Sequence, residues 1–413
     1  MTSTSSSSSS SDRSDSALLE IWLPAYESED EWRALARLAS THQRDDEGGQ
    51  QQEGRKRPRE REPTACRYGL DCFRANEKHR RKFWHPPSEC RALREQVRCN
   101  VFVSPPEVMA AADRLLVFIC GMGPVRAGQW ARKLCMFESL QTGSILPYLA
   151  RARDEGYAVV VLNPNYNEAV VKRKLAINSK QAEATKAKPA TATRGHKRRR
   201  QNSDDDDEEE EAEEEQGEEE QVEYEDKVSI PFNENGFRHI AHVWDRLITP
   251  TRFGIKGTGK VAIVAHSFGG NHALSIMQDR RQDLFSASAR ARRSSSIHAV
   301  AFIDSVHTID DKTPPHVTRL LRTRARHWAK SQQPLDTPLD RRDDDNDEEQ
   351  QCEDRRGKRK NDKTKKTTTT TKKEEDTTHA DGCERVSAGS DSHDHCPSAC
   401  IDSVFGWLAQ QMG

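Results

Sequence analysis

Apolar residues in this chain gather in short continuous runs, and the segments between them repeat with helical period. Arg114 to Cys120, Tyr157 to Leu162, Lys260 to His266 and Ile297 to Ile303 are each too short for a helix of ordinary length. They are rich in β-branched and aromatic residues, the pattern of strands buried on both faces of a parallel sheet. Arg385 to Gly389 offers a short last strand. Gln129 to Leu140, Gly143 to Glu155, Asn233 to Thr249, Asn271 to Gln278, Pro314 to Lys330 and Ser398 to Met412 read as helices, with Gly156 placed as a C-cap. This alternation, set in from Pro105, predicts an α/β fold with a parallel sheet flanked by helices. Further upstream, Leu18, Leu19, Ile21, Trp22, Leu23, Trp32, Leu35 and Leu38 recur at partly helical spacing, with Asp30 and Glu31 where a helix would start. That stretch fits a short partner-binding helix and equally a strap onto the main domain.

Composition limits how much of the chain can share this core. Of 413 residues 33% are hydrophobic and 32% charged, and the charge is segregated in blocks. Setting the blocks aside leaves roughly 250 residues, enough for one large α/β domain and something small. Residues 1–60 are expected to be mostly disordered, with a possible short helix, and 88–104 to be a linker. The domain from 105 to 413 is expected to carry disordered insertions at about 172–226 and 340–381. The first of these runs from the basic Lys197-Arg198-Arg199-Arg200 into the acidic tract Asp204 to Glu220. Insertions in surface loops cost little, because closure entropy grows only logarithmically with length. The net charge of −2 conceals these opposed tracts and identifies no partner. Arg55-Lys56-Arg57-Pro58-Arg59 matches a nuclear-import or phosphate-attracting patch, and also plain solvated charge. The N-terminal serine run has no apolar core of a secretory signal, and no stretch reaches the length of a membrane span. Ten cysteines in such a chain point to reduced thiols or metal ligands.

Two clusters carry chemistry. In Ala265-His266-Ser267-Phe268-Gly269-Gly270 a β-branched strand stops at a serine boxed in by small residues, and a helix follows. This is the grammar of a nucleophile elbow, with alanine in place of its first glycine. An ordinary Ser-Gly turn after a buried strand would look similar. Gly121-Met122-Gly123 follows an early strand, where a hydrolase places N–H donors for an oxyanion; with the N–H of Phe268 it forms the candidate oxyanion hole, though a tight turn alone would also explain it. Ser267, Asp304 and His393 fall in the order nucleophile, acid, base, with acid and base just past strand ends. A capping role for Asp304 and a solvated loop histidine at 393 are the plainer alternatives, and His395 stands two residues from His393. The second cluster spans 61–87: Cys66, Cys72, His79 and His85, spaced C-x5-C-x6-H-x5-H. Two thiolates and two imidazoles suit one tetrahedral structural Zn(2+), which so short a segment needs in place of a core.

Two family resemblances follow from these residues. Cys66-Arg67-Tyr68-Gly69, Cys72-Phe73-Arg74, Asn76, His79, Phe83 and His85-Pro86 resemble the poly(ADP-ribose)-binding zinc finger. By that resemblance Tyr68 and Phe73 hold adenine and Arg74 pairs with phosphate, Phe73 lacking the hydroxyl of the tyrosine often found there. Val125 to Arg132, Asp154 to Tyr157, Val161 to Asn165, Ala265 to Gly270, Asp304 to His307 and Arg385 to Gly389 together resemble the Arb2 (argonaute-binding) domain, most closely its animal cotranscriptional-regulator branch. That resemblance implies an α/β-hydrolase-like fold and a nuclear role tied to argonaute, chromatin-silencing or splicing proteins. It leaves open a pseudoenzyme or an active ester hydrolase. A finger ahead of the domain departs from the animal pattern. The expectation is a nuclear adaptor that reads poly(ADP-ribose) through its finger and engages a protein partner through the larger domain; the alternative is an active serine hydrolase using Ser267, His393 and Asp304.

Overall fold

The computed structural model describes residues 18–41, 66, 77–85, 90–177, 220–253, 259–279, 297–339 and 380–413. The chain divides into two compact units, the larger built from Met1–Ala169 with Ser229–Gly413 and the smaller from Val170–Val228. Among the described residues there are ten strands: β1 (Leu19–Leu23), β2 (Cys99–Val103), β3 (Arg114–Ile119), β4 (Ala158–Val161), β5 (Glu168–Ile177), β6 (Glu220–Ser229), β7 (Lys260–His266), β8 (Ile297–Ile303), β9 (Ala325–Ala329) and β10 (Glu384–Ser387). Eight form one sheet in the order β1-β2-β4-β3-β7-β8-β9-β10, and β5 and β6 pair separately. From β4 to β10 every neighbouring pair is parallel, while β2 runs antiparallel to both β1 and β4. Each parallel step needs a crossover, and from β3 to β9 described helices lie in the connections.

Side chains of the central strands alternate between two cores. Leu115, Val117 and Ile119 of β3, with Val261, Ile263 and Ala265 of β7, pack under Ile240, Met277 and Leu321. Leu116 and Phe118, with Ala262 and Val264, face the other way against Tyr148, Phe405 and Leu408. Helices Gly236–Val243, Gly269–Asp279 and Pro315–Arg324 cover the first face; Leu146–Asp154 and Ile401–Met412 cover the second. Strands buried on both faces must be apolar at nearly every position, which is why these runs are continuous rather than alternating. Among the described residues no helix is long and apolar enough to cross a membrane.

Several expectations are corrected. The stretch 88–104, expected as linker, holds helix Cys90–Gln96 and strand β2, which is fully incorporated in the sheet. Residues 19–23, given a partly helical reading, form edge strand β1, and the helix begins only at Glu29. Pro314 to Lys330 is helical only to Arg324; Ala325-Arg326-His327-Trp328-Ala329 is β9, lodged between β8 and β10. The alternating arginines gave that stretch a polar helical face, but sheet pairing overrides local pattern where both neighbours are already in place. The first insertion begins and ends later and earlier than expected, since β5 reaches Ile177 and β6 starts at Glu220. At the end of the second, Asp381 is buried and bonded to His327.

Candidate functional site

The turn after β7 is built around close backbone approach. Ser267 sits at φ 55°, a left-handed conformation that a non-glycine residue adopts only under constraint. The constraint is packing on three sides. A Cβ on Gly269 would lie 2.6 Å from the carbonyl oxygen of Ile119, and one on Gly270 only 1.8 Å from Ser305 Oγ. From above, a Cβ on Gly121 would lie 2.9 Å from Ser267 Cβ and 3.3 Å from its Oγ. The turn after β3 therefore lies directly against the serine. Helix Gly269–Asp279 starts immediately below it, and Ser267 is tied back through its N–H to the Ile303 carbonyl at 3.0 Å.

Asp304 follows β8 and His393 follows β10, and the sheet brings them together. His393 Nδ1 donates to Asp304 Oδ2 at 2.6 Å, and Asp304 Oδ1 accepts from the Lys330 N–H at 3.0 Å. Asp304 is itself at φ 37°, with its N–H on the Trp328 carbonyl at 2.7 Å. The hydrogen bond from His393 to Asp304 raises the imidazole above its usual range, outweighing burial. Burial would raise the Asp304 carboxyl, but the His393 and Lys330 donors together hold it below the ordinary range. The His393 ring stacks on His266 with centroids 4.6 Å apart, and His266 Nε2 donates to the His393 carbonyl at 3.2 Å. His266 is pushed down to about 4, chiefly by burial, so it stays neutral. His395 is engaged elsewhere, with Glu138 at 3.0 Å. Among the described residues no hydrogen bond joins Ser267 Oγ to His393; the acid and base are bonded to each other, and the serine hydroxyl has no hydrogen-bond partner.

Of the loop residues, Gly123 (φ 127°) spends its N–H on Asn165 Oδ1 at 3.3 Å. The Asn165 side-chain amide donates to the carbonyls of Gly121 at 2.8 Å and Val125 at 3.2 Å, so one side chain braces the whole turn. The N–H groups of Gly121, Met122 and Phe268 find no acceptor among the described residues; Phe268 follows Ser267 in the chain and the turn at Gly121 packs against it. Sequence reasoning missed the roles of Asn165 and His266; Asn163-Pro164-Asn165 registered only as a turn. It also missed a buried network behind the acid. His327 Nδ1 donates to Asp381 Oδ2 at 2.5 Å while its Nε2 accepts the Ser305 N–H at 2.9 Å, and Ser305 Oγ meets His307 Nδ1 at 2.8 Å.

In the N-terminal cluster, Cys66, His79 and His85 converge, with all three ligand atoms within 4.8 Å of one another. Cys66 Sγ lies 3.4 Å from His79 Nε2, and the two Nε2 atoms are 3.2 Å apart. Tetrahedral zinc with ordinary bond lengths would separate its ligands by about 3.3 Å (N to N) and about 3.6 Å (S to N), so the set fits that ion. His85 Nδ1 donates to the Phe83 carbonyl at 3.1 Å, which turns its Nε2 lone pair toward the other ligands. Cys72, Tyr68, Phe73 and Arg74 lie outside the described residues. The short strand-like contact Cys66 N–H to Trp84 carbonyl, 2.8 Å, closes the segment, and Arg33 lies 4.9 Å over the Trp84 ring.

Fold and clusters together define a parallel-rich α/β protein with a strained strand-end serine, preceded by a small Cys/His metal-type module. The Arb2 domain family model matches residues 91–335, more than half of the chain, and the chain belongs to that family. A PBZ domain model matches residues 64–88. The mouse protein named cotranscriptional regulator ARB2A is 28% identical over 322 residues, covering 77% of this chain and 64% of that protein. A homolog of the same name from Dictyostelium discoideum is 36% identical over 252 residues, 59% of this chain and 54% of its own length. A FAM172 family protein homolog from Caenorhabditis elegans is 52% identical over 58 residues. The chain thus spans between about half and two thirds of the ARB2A relatives it matches. No solved structure matches.

Proposed function

We propose that this protein is a nuclear regulator brought to poly(ADP-ribose) by its zinc finger, whose Arb2 domain engages an argonaute, chromatin-silencing or RNA-processing partner. The observation that carries the reading is the convergence of Cys66, His79 and His85 inside the segment that matches the PBZ domain. Zn(2+), completed by Cys72, supplies the fold of that segment and leaves Tyr68 and Phe73 to stack on adenine and Arg74 to meet phosphate. Relatives named cotranscriptional regulators support the nuclear assignment. The test is direct binding of poly(ADP-ribose) to the full chain. Affinity should drop about tenfold or more on Tyr68→Ala or Arg74→Ala, since stacking and phosphate contacts are each worth about 1–3 kcal/mol. Equal affinity for generic single-stranded RNA would reduce the site to a basic patch.

A second reading is favoured by the His393–Asp304 bond at 2.6 Å beside the left-handed Ser267. In it the large unit is an α/β-hydrolase-like domain that hydrolyses an ester. His393 Nε2 takes the proton from Ser267 Oγ as the oxygen attacks the carbonyl carbon, and Asp304 holds Nδ1–H and balances the imidazolium. The carbonyl oxygen becomes an oxyanion that meets the N–H groups of Met122 and Phe268, each contributing about 3 kcal/mol to lowering the barrier. His393 then returns the proton to the leaving alkoxide, and water repeats the sequence on the acyl enzyme. Unbonded Ser267 is compatible with this, because catalytic hydrogen bonds are often long until substrate is present. A fluorophosphonate probe decides it: labelling that vanishes in Ser267→Ala supports an enzyme, and well-folded protein that takes no label leaves the regulator without one.

A further inference from the structure

The loop that offers the Met122 N–H also presents a cation. Arg126 is solvent-exposed, yet its guanidinium is held: Nη1 donates to the Asn165 carbonyl at 3.3 Å, and Cζ lies 5.5 Å from the centre of the Tyr166 ring. Asn165 is the residue whose side chain bridges Gly121, Gly123 and Val125, so one brace fixes the turn over Ser267 and the guanidinium together. Other fixed arginines are paired with carboxylates: Arg151 with Glu155, Arg246 with Glu27, Arg252 with Asp113, Arg326 with Glu384. Arg126 has no carboxylate within ion-pair distance among the described residues. Its charge also reaches inward to Cys120, whose thiol burial pushes up to about 12 and Arg126 draws back.

A guanidinium half-immobilised by backbone and aromatic contacts, with donors still facing solvent, is pre-organised for a carboxylate fork. Met122, 67% exposed, follows Gly121 in the turn that packs on Ser267 and offers an apolar surface to a short acyl stem. We propose that Arg126 is the specificity residue of the Ser267 site, and that the site takes esters whose acyl group ends in a carboxylate. This rests on the hydrolase reading and adds the charge of the substrate to it.

The test separates the two. Methyl hemisuccinate and methyl butyrate are matched in chain length and differ in the terminal carboxylate. Their binding to the full chain is measured by ligand-observed NMR, and their turnover by ester loss, in wild type, Ser267→Ala and Arg126→Ala. One charge-assisted fork predicts a preference for hemisuccinate of about tenfold. It should persist in Ser267→Ala, fall to about one in Arg126→Ala, and survive in part in Arg126→Lys. Preferential binding without turnover or fluorophosphonate labelling would sink the hydrolase reading and leave the carboxylate anchor standing. Turnover of both esters with equal kcat/KM, or no binding preference in any form of the protein, would overturn the role of Arg126. A preference that persists undiminished in Arg126→Ala would do the same. Melting of each variant close to wild type guards against misfolding as the cause.

Discussion

Asp304 and His393 each favour the charged form of the other, and the consequences can be read one residue at a time. The imidazole is raised above its ordinary 6.5, first by its hydrogen bond to Asp304. A raised base contributes stability that is complete below pH 6.5 and is lost as pH climbs through the folded value. The lowered Asp304 contributes stability that is present above its ordinary 3.8 and is lost as pH falls through the folded value. The pair is therefore best made between these limits, in the acidic to neutral range, while general-base work by neutral His393 requires pH above it. NMR titration should place His393 above 6.5, and Asp304→Asn should move the midpoint downward. A midpoint that ignores Asp304→Asn would show that the 2.6 Å contact is not made in solution. Gly121 offers a steric check of the same place. Gly121→Ala puts a methyl 2.9 Å from Ser267 Cβ, so under the hydrolase reading fluorophosphonate labelling should fall at least tenfold in a protein that still folds. The strand, turn and helix around Ser267 were legible because tight turns impose small residues at fixed offsets. The brace from Asn165 was not, since a turn asparagine in sequence says nothing of which loop its amide will cross to.

At the scale of elements, legibility followed burial. Strands β3, β4, β7 and β8 are apolar along nearly their whole length, with polar residues only at or next to their ends, and were readable as such, because both faces of a central parallel strand are covered. Strand β9 was not, since Arg326 and His327 interrupt its apolar run and the preceding helix continues its pattern into it. His327 earns its position by tying three elements: β9, the loop after β8 through the Ser305 N–H, and the segment before β10 through Asp381. Burial favours the neutral form of Asp381, but the donors from His327 and the nearby charge of Arg385 hold its carboxyl at about 2. Its stabilising effect is present above pH 3.8 and disappears as pH falls toward about 2. Asp381→Ala leaves the buried His327 Nδ1–H without its acceptor and should cost about 2 kcal/mol, measured by urea unfolding at neutral pH. Much of that cost should be gone near pH 2, where the wild-type carboxyl is half protonated. An equal penalty at both pH values would assign the loss to packing rather than to this hydrogen bond.

At the scale of the whole molecule, two stabilising principles are joined in one chain. The α/β unit rests on two apolar cores either side of an eight-stranded sheet. Among the described residues of the 61–87 segment no comparable core appears: His79 packs on Phe83 with centroids 4.9 Å apart, and the described ligand atoms crowd one point. Three ligand atoms crowd together at such spacing, two of them nitrogens 3.2 Å apart with His85 Nδ1 bonded to the Phe83 carbonyl, a set that suits one metal ion held between them. With zinc bound there, as proposed, metal binding and folding of this segment should be one equilibrium, and the sheet should be indifferent to it. Metal analysis of the purified full chain should find one zinc per molecule. Cys66→Ser or His85→Ala should abolish it together with poly(ADP-ribose) binding. Chelation should leave the main thermal transition within a few degrees of its position with metal, because the cores of the sheet contain none of these ligands. Some local loss is expected where Arg33 covers Trp84, seen as a change in tryptophan fluorescence on chelation. Absence of zinc in folded full-length protein would remove the metal from the finger. A main transition that collapses with the zinc would instead make the metal a support of the sheet, and the independence argued from the two cores would be wrong.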